Sequence, residues 1–113
     1  MTPEIFVNKY NLHDSIIDSV ETESNGTVIR MVIDFAFWMQ KNYQTNKPET
    51  GLIKVKFSNL KNIIIPEDVK LADISIIQTL IENNSLKFSL INDITNDYLE
   101  IIVDSDNIEI SKI

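Results

Sequence analysis

The dipeptide Asn25-Gly26 constrains this chain more than any other feature. Asn-Gly suits the two-residue turn of a β-hairpin, with positive φ expected at Gly26. On either side, residues 12–23 and 27–38 are rich in β-branched and aromatic types, which favour strands. The combination predicts a long hairpin. Pairing outward from the turn sets Glu23 opposite Val28, Glu21 opposite Arg30, Val20 opposite Met31 and Ile16 opposite Phe35. One face then carries Leu12, Ile16, Val20, Ile29, Met31, Ile33, Phe35 and Phe37, which are expected to pack into a core. The other carries Glu21 with Arg30, an opposite-charge pair, Ile17 with Asp34, and His13 with Trp38. This register has a cost, because Asp14 and Asp18 fall on the apolar face. A longer turn with a bulge at Gly26 would shift the pairing by one and move both aspartates, so the register stays open.

The rest of the chain repeats the pattern of short strand and polar turn. Thr2-Pro3-Glu4 is a helix start, with a capping hydroxyl, proline in the first turn and a carboxylate at the positive end of the dipole. It predicts a short helix over about residues 3–9. Gln40 to Gly51 reads as a long exposed loop. Leu52 to Phe57 alternates sharply, with Lys54 and Lys56 outward, as on a guarded edge strand. Asn62 to Ile65 is a short apolar segment ended by Pro66, and Glu67 to Asp73 is a charged loop or helical turn. Residues 74–82 are ambiguous, since Ile74, Ile77 and Ile81 fit helical spacing while the β-branched content favours strand, the reading adopted. Leu86 to Leu90, Tyr98 to Val103 and a segment opening at Ile108 complete the set. The expected fold is mainly β: one domain over residues 1–113, an antiparallel β-sandwich or open barrel of about seven strands with a short N-terminal helix.

Several function classes are set aside by residue type. The chain has no cysteine, so disulfides, thiolate catalysis and cysteine-bound zinc are closed to it. Gly26 and Gly51 are its only glycines, and neither opens a phosphate-binding loop; no cofactor is expected. One histidine gives too few nitrogen ligands for zinc, and Asp104-Ser105-Asp106-Asn107 lacks the glycine and distal glutamate of a calcium loop. No metal is expected. The formal net charge is -7, with a single arginine, which argues against nucleic acid and anionic membranes. No apolar run is long enough to span a bilayer, and no segment reads as a signal peptide, so the expected location is the cytoplasm.

His13, Asp14 and Ser15 are the candidate chemical motif. As neighbours on a strand, His13 and Asp14 would point to opposite faces, and Ser15 would lie beyond hydrogen-bond reach of His13. A local catalytic triad is therefore not expected, although Asp104 or Asp106 could approach from elsewhere. The expected role is structural, binding nearby backbone at a strand start. The charge is unevenly spread, at -4 over residues 1–39, +4 over 40–65 and -7 over 66–113. Asp93, Asp97, Glu100, Asp104, Asp106 and Glu109 fall in turns or on outward strand positions, and with Trp38 they form the expected partner face.

Leu12-His13-Asp14-Ser15 with Ile17, the hairpin behind it and the Lys54-Val55-Lys56-Phe57 strand resemble small bacterial β-rich proteins that open on a His-Asp pair. Some of these resemble the immunity proteins encoded beside polymorphic toxins. The resemblance implies a β-rich fold and a stoichiometric binder rather than an enzyme. The leading expectation is a protein-interaction module with a basic protein partner. The alternative is a small-ligand binder or an enzyme using a His13-Asp14 site. Oligomeric state is not legible in the sequence.

Overall fold

The Asn25-Gly26 hairpin forms, and a bulge removes the cost of burying Asp18. The computed structural model describes residues 1–65 and 74–113; the charged stretch Glu67 to Asp73 lies outside them. Strands β1 (Ile16–Glu23) and β2 (Val28–Ala36) pair antiparallel, with Glu23 opposite Val28, Glu21 opposite Arg30 and Val20 opposite Met31, as expected. The register then shifts between Ile17 and Ser19, so Ile17 faces Ile33, and Ile16 faces Asp34 rather than Phe35. Asp18 is the extra residue. The shift inverts the expected inside and outside: Ile17 is 1% exposed and Ile16 40%, while Asp18 is exposed. An unpaired carboxylate in the core would cost several kcal/mol, whereas a bulge gives up only local pairing. Asn25 (φ 57°) and Gly26 (φ 84°) both take left-handed backbone at the turn.

Helix α1 (Pro3–Lys9) starts where expected, with the Thr2 hydroxyl accepting from the Ile5 amide. Strand β3 (Thr50–Ser58) buries Ile53, Val55 and Phe57. It is not an edge: β2 pairs on one side and β8 (Asn107–Lys112) on the other, so Lys54 and Lys56 lie on the outer face of a sheet interior. The ambiguous segment is a strand, β5 (Ile74–Glu82), followed by β6 (Ser85–Asn92) and β7 (Tyr98–Asp104). The short β4 (Asn62–Ile64) brings the described strands to eight.

All eight belong to one antiparallel sheet in the order β4-β7-β6-β5-β1-β2-β3-β8. Strands that neighbour opposite ends of this order are joined by very short links, Asn59–Lys61 between β3 and β4 and Ser105–Asp106 between β7 and β8. Such links force the ends of the sheet together. The Lys61 amide donates to the Asp104 carbonyl at 2.9 Å, and the Leu60 amide to the Thr27 carbonyl at 3.1 Å. At the opposite corner β1 and β5 share a single residue pair, Ile16 with Ser75. The open sheet thus folds into two four-stranded halves around one core. Phe57 of one half meets Phe88 of the other edge-on at 6.2 Å, and Phe6 of the helix meets Phe57 at 6.4 Å.

Candidate functional site

The Leu-His-Asp-Ser motif lies at the corner where β1 meets β5, and it is a turn rather than strand. The Ser15 amide donates to the Leu12 carbonyl at 3.0 Å, closing the turn, and Asp14 takes φ 64°. An aspartate tolerates that left-handed conformation better than most side chains. The Asn11 carboxamide accepts from the His13 amide at 3.0 Å. The motif then captures β5 backbone three times over. The Asp14 amide donates to the Ile76 carbonyl at 3.0 Å, and the Ile76 amide to the Ser15 carbonyl at 2.8 Å. His13 Nδ1 lies 2.6 Å from the Ile77 carbonyl; the carbonyl only accepts, so Nδ1 carries the proton of this bond. Ile77 is the residue left out of register where β5 bulges between Ile76 and Gln78.

Ser15 is fully buried, and its hydroxyl accepts from the Ala36 amide at 2.9 Å, at the end of β2. It thereby replaces the backbone acceptor that a continuing strand would supply. The nucleophile of any imagined triad is committed to this bond. His13 and Asp14, however, are closer than strand geometry allows: Nε2 lies 3.5 Å from Oδ1, with both side chains about half exposed. The expected divergence of the pair is corrected here, because the turn places adjacent side chains on one side. Asp104 and Asp106 are elsewhere, Asp104 opposite Asn62 and Asp106 accepting from Asn59.

The acidic residues do not gather on one face. Asp93 and Asp97 sit in the β6–β7 turn, where Asp93 accepts from the Ser75 hydroxyl and Asp97 from the Thr95 hydroxyl. Glu100 lies outward on β7, 3.4 Å from the Lys87 ammonium, which also meets Glu82 at 3.2 Å. Asp104 is at the far end of β7, seven residues from Asp97 and so roughly 20 Å away along an extended chain. Glu109 lies on β8 opposite Lys56, in the other half. Trp38, 44% exposed, is in the 3-10 turn Phe37–Met39 beyond β2, with its amide donating to the Glu49 carbonyl. Among the described residues no three His, Asp or Glu side chains form a metal-binding group.

A hollow of about 570 Å³ lies where the 40–50 loop folds back on the start of β3 and the end of β8. Phe37 forms part of its wall, and its ring lies over Gly51, where a Cβ would come within 2.7 Å of Phe37 Cε2. The loop is braced. Gln40 donates to the Asn11 and Ala36 carbonyls, the Tyr43 hydroxyl donates to the Lys47 carbonyl at 3.0 Å, and the Lys47 amide donates to the Gln44 carbonyl.

No protein family, curated protein or solved structure matches this chain.

Sequence reasoning missed the hollow because residues 40–51 read only as polar loop. Two signals mark it in retrospect: an aromatic pair, Phe37 and Tyr43, bordering the loop, and a glycine placed against a strand start. Arg30 also departs from expectation. Its Cα lies opposite Glu21, yet its guanidinium forks onto Glu23, with both Nη atoms 3.1 Å from carboxylate oxygens.

Proposed function

We propose that the protein is a stoichiometric protein-binding module of the immunity-protein kind, acting in the cytoplasm on a basic protein partner. One observation carries this reading. On the outer face of the β4-β7-β6-β5 half, Leu80, Lys87, Ile102 and Ile64 align in one row across four strands. Leu80 is 37% exposed and Ile64 52%, while Lys87 is flanked by Glu82 and Glu100, which neutralise its charge. Asp104, two residues beyond Ile102, lies beside this row, and Asp93 and Asp97 stand in the turn at the far end of β6 and β7. Exposed apolar side chains around an ion-paired lysine, with charged residues at the margin, follow the anatomy of a protein interface, and the carboxylates at that margin favour a cationic partner.

The test is capture from native lysate at low and high salt, followed by purification of the captured protein and titration at defined stoichiometry. A basic partner is expected to bind one to one, and Ile64→Asp or charge reversal at Glu100 and Asp104 to weaken it. An acidic partner, or affinity indifferent to these changes, overturns the reading. A second reading, a ligand or reaction site at His13-Asp14, has the 3.5 Å approach of the two side chains in its favour. Against it, the Nδ1 proton is held by the Ile77 carbonyl, and the Ser15 hydroxyl is buried and occupied by Ala36.

A further inference from the structure

The hollow beside the 40–50 loop differs in polarity from the rest of the molecule. The chain carries -7 overall, yet among the described residues no aspartate or glutamate side chain lines this hollow, and two lysines, Lys47 and Lys112, do. Among the described residues Arg30 pairs with Glu23, and Lys87 with Glu82 and Glu100. Lys47 and Lys112 make no ion pair among the described residues. The walls beside them are apolar and aromatic, from Phe37, Tyr43, Pro48 and Leu52. At about 570 Å³ the space falls within the ordinary range of ligand pockets. Its shape is set before any ligand arrives, by the Tyr43–Lys47 bond and by the missing Cβ at Gly51 that seats Phe37.

We propose that this hollow binds a small amphipathic organic anion, its apolar body against Phe37 and Tyr43 and its charge met by Lys47 and Lys112. Aromatic walls favour a flat, apolar body. Two ammonium groups without an ion pair among the described residues favour one carboxylate, sulfonate or phosphate, and their strength in an open site falls with added salt. The site is independent of the proposed protein interface, which lies on the other half of the sheet.

The test uses the full chain and 1-anilinonaphthalene-8-sulfonate, an aromatic monoanion whose fluorescence reports binding, beside its uncharged relative N-phenyl-1-naphthylamine. One saturable site per chain is expected for the anion, weakening as salt is raised, with the uncharged compound binding more weakly. Lys47→Gln and Lys112→Gln are each expected to weaken the anion roughly two- to fivefold, the scale of an exposed ion pair. The double change Lys54→Gln with Lys56→Gln removes twice the charge of either single variant, from the outer face of β3, and is expected to leave binding unchanged. Gly51→Ala pushes Phe37 off its seat and is expected to abolish binding of both compounds; the lysine variants, on exposed side chains, decide the matter if that variant fails to fold. Absence of a saturable site overturns the proposal. So does equal binding of the uncharged compound, or equal weakening by the Lys54 and Lys56 changes.

Discussion

A buried hydroxyl stands in for a strand neighbour at each of the two corners where the sheet folds. Ser15 accepts from the Ala36 amide at the β1–β5 corner, and Ser105, 3% exposed, donates to the Ser58 carbonyl at the β7–β8 corner. Ser15→Ala leaves the Ala36 amide buried without a partner, so it is expected to cost about 1–3 kcal/mol, read as a lower urea midpoint at unchanged slope. An unchanged midpoint would mean that water replaces the hydroxyl. His13→Ala removes one exposed hydrogen bond to the Ile77 carbonyl and is expected to cost no more than about 1 kcal/mol, with any turnover intact. A normally folded variant that loses a measured activity refutes this. Lys87 has a testable pH signature. Its pKa is raised, first by the hydrogen bond from its ammonium to Glu82 and then by Glu100, against partial desolvation. Its contribution is therefore fully present below the unfolded-state pKa and lost as pH rises through the higher folded-state pKa. The stability gap between wild type and Lys87→Met should stay constant through neutral pH and narrow at strongly alkaline pH; a gap that widens there contradicts the pairing. The importance of His13, Asp14 and Ser15 was legible in the sequence, but their geometry was not. Strand alternation separates adjacent side chains, and only the left-handed Asp14 brings them together.

At the scale of elements, alternation located the strands and bulges defeated its finer reading. In β5 the register shift at Ile77 makes the partners of the inward Leu90, Phe88 and Leu86 fall at Ile76, Thr79 and Ile81. With Ile74, that spacing is neither period two nor helical, which is why residues 74–82 read both ways. In β1 the bulge at Asp18 moves the buried position from Ile16 to Ile17. Both bulges lie on the two strands that meet at the thin corner, where a bulge's added bend and twist turn the sheet. The sequence signalled one of them indirectly, through the misplaced Asp18 on an apolar face. Gly26→Val tests the hairpin itself. There is open space around Gly26, so the strain comes from its φ of 84° alone. A β-branched side chain there is expected to cost about 1 kcal/mol or more, seen as a lower thermal midpoint. If the variant is as stable as wild type, the turn has moved to another pair of residues.

Across the whole molecule, the backbone connection between the halves is thin and the core connection is thick. Strands β1 and β5 share one residue pair and the few bonds of the Leu12–Ser15 turn. Judged by ladders alone, the halves would open separately. The core says otherwise: Ile33, Val55 and Phe57 from one half pack in the same cluster as Ile76, Phe88 and Val103 from the other, with Phe6 of the helix. Phe57 is fully buried and touches both Phe6 and Phe88, so neither half keeps an apolar face covered without its counterpart. A cluster shared this way makes unfolding cooperative. Trp38 fluorescence reports on the β2 end of one half, and far-ultraviolet circular dichroism on all strands. The two are expected to give one coincident urea transition. Phe57→Ala removes the ring at the centre and is expected to cost about 3–5 kcal/mol, moving both curves together. Two separated transitions, in wild type or in this variant, would show that the corner turn rather than the core holds the halves, and that each half is stable alone.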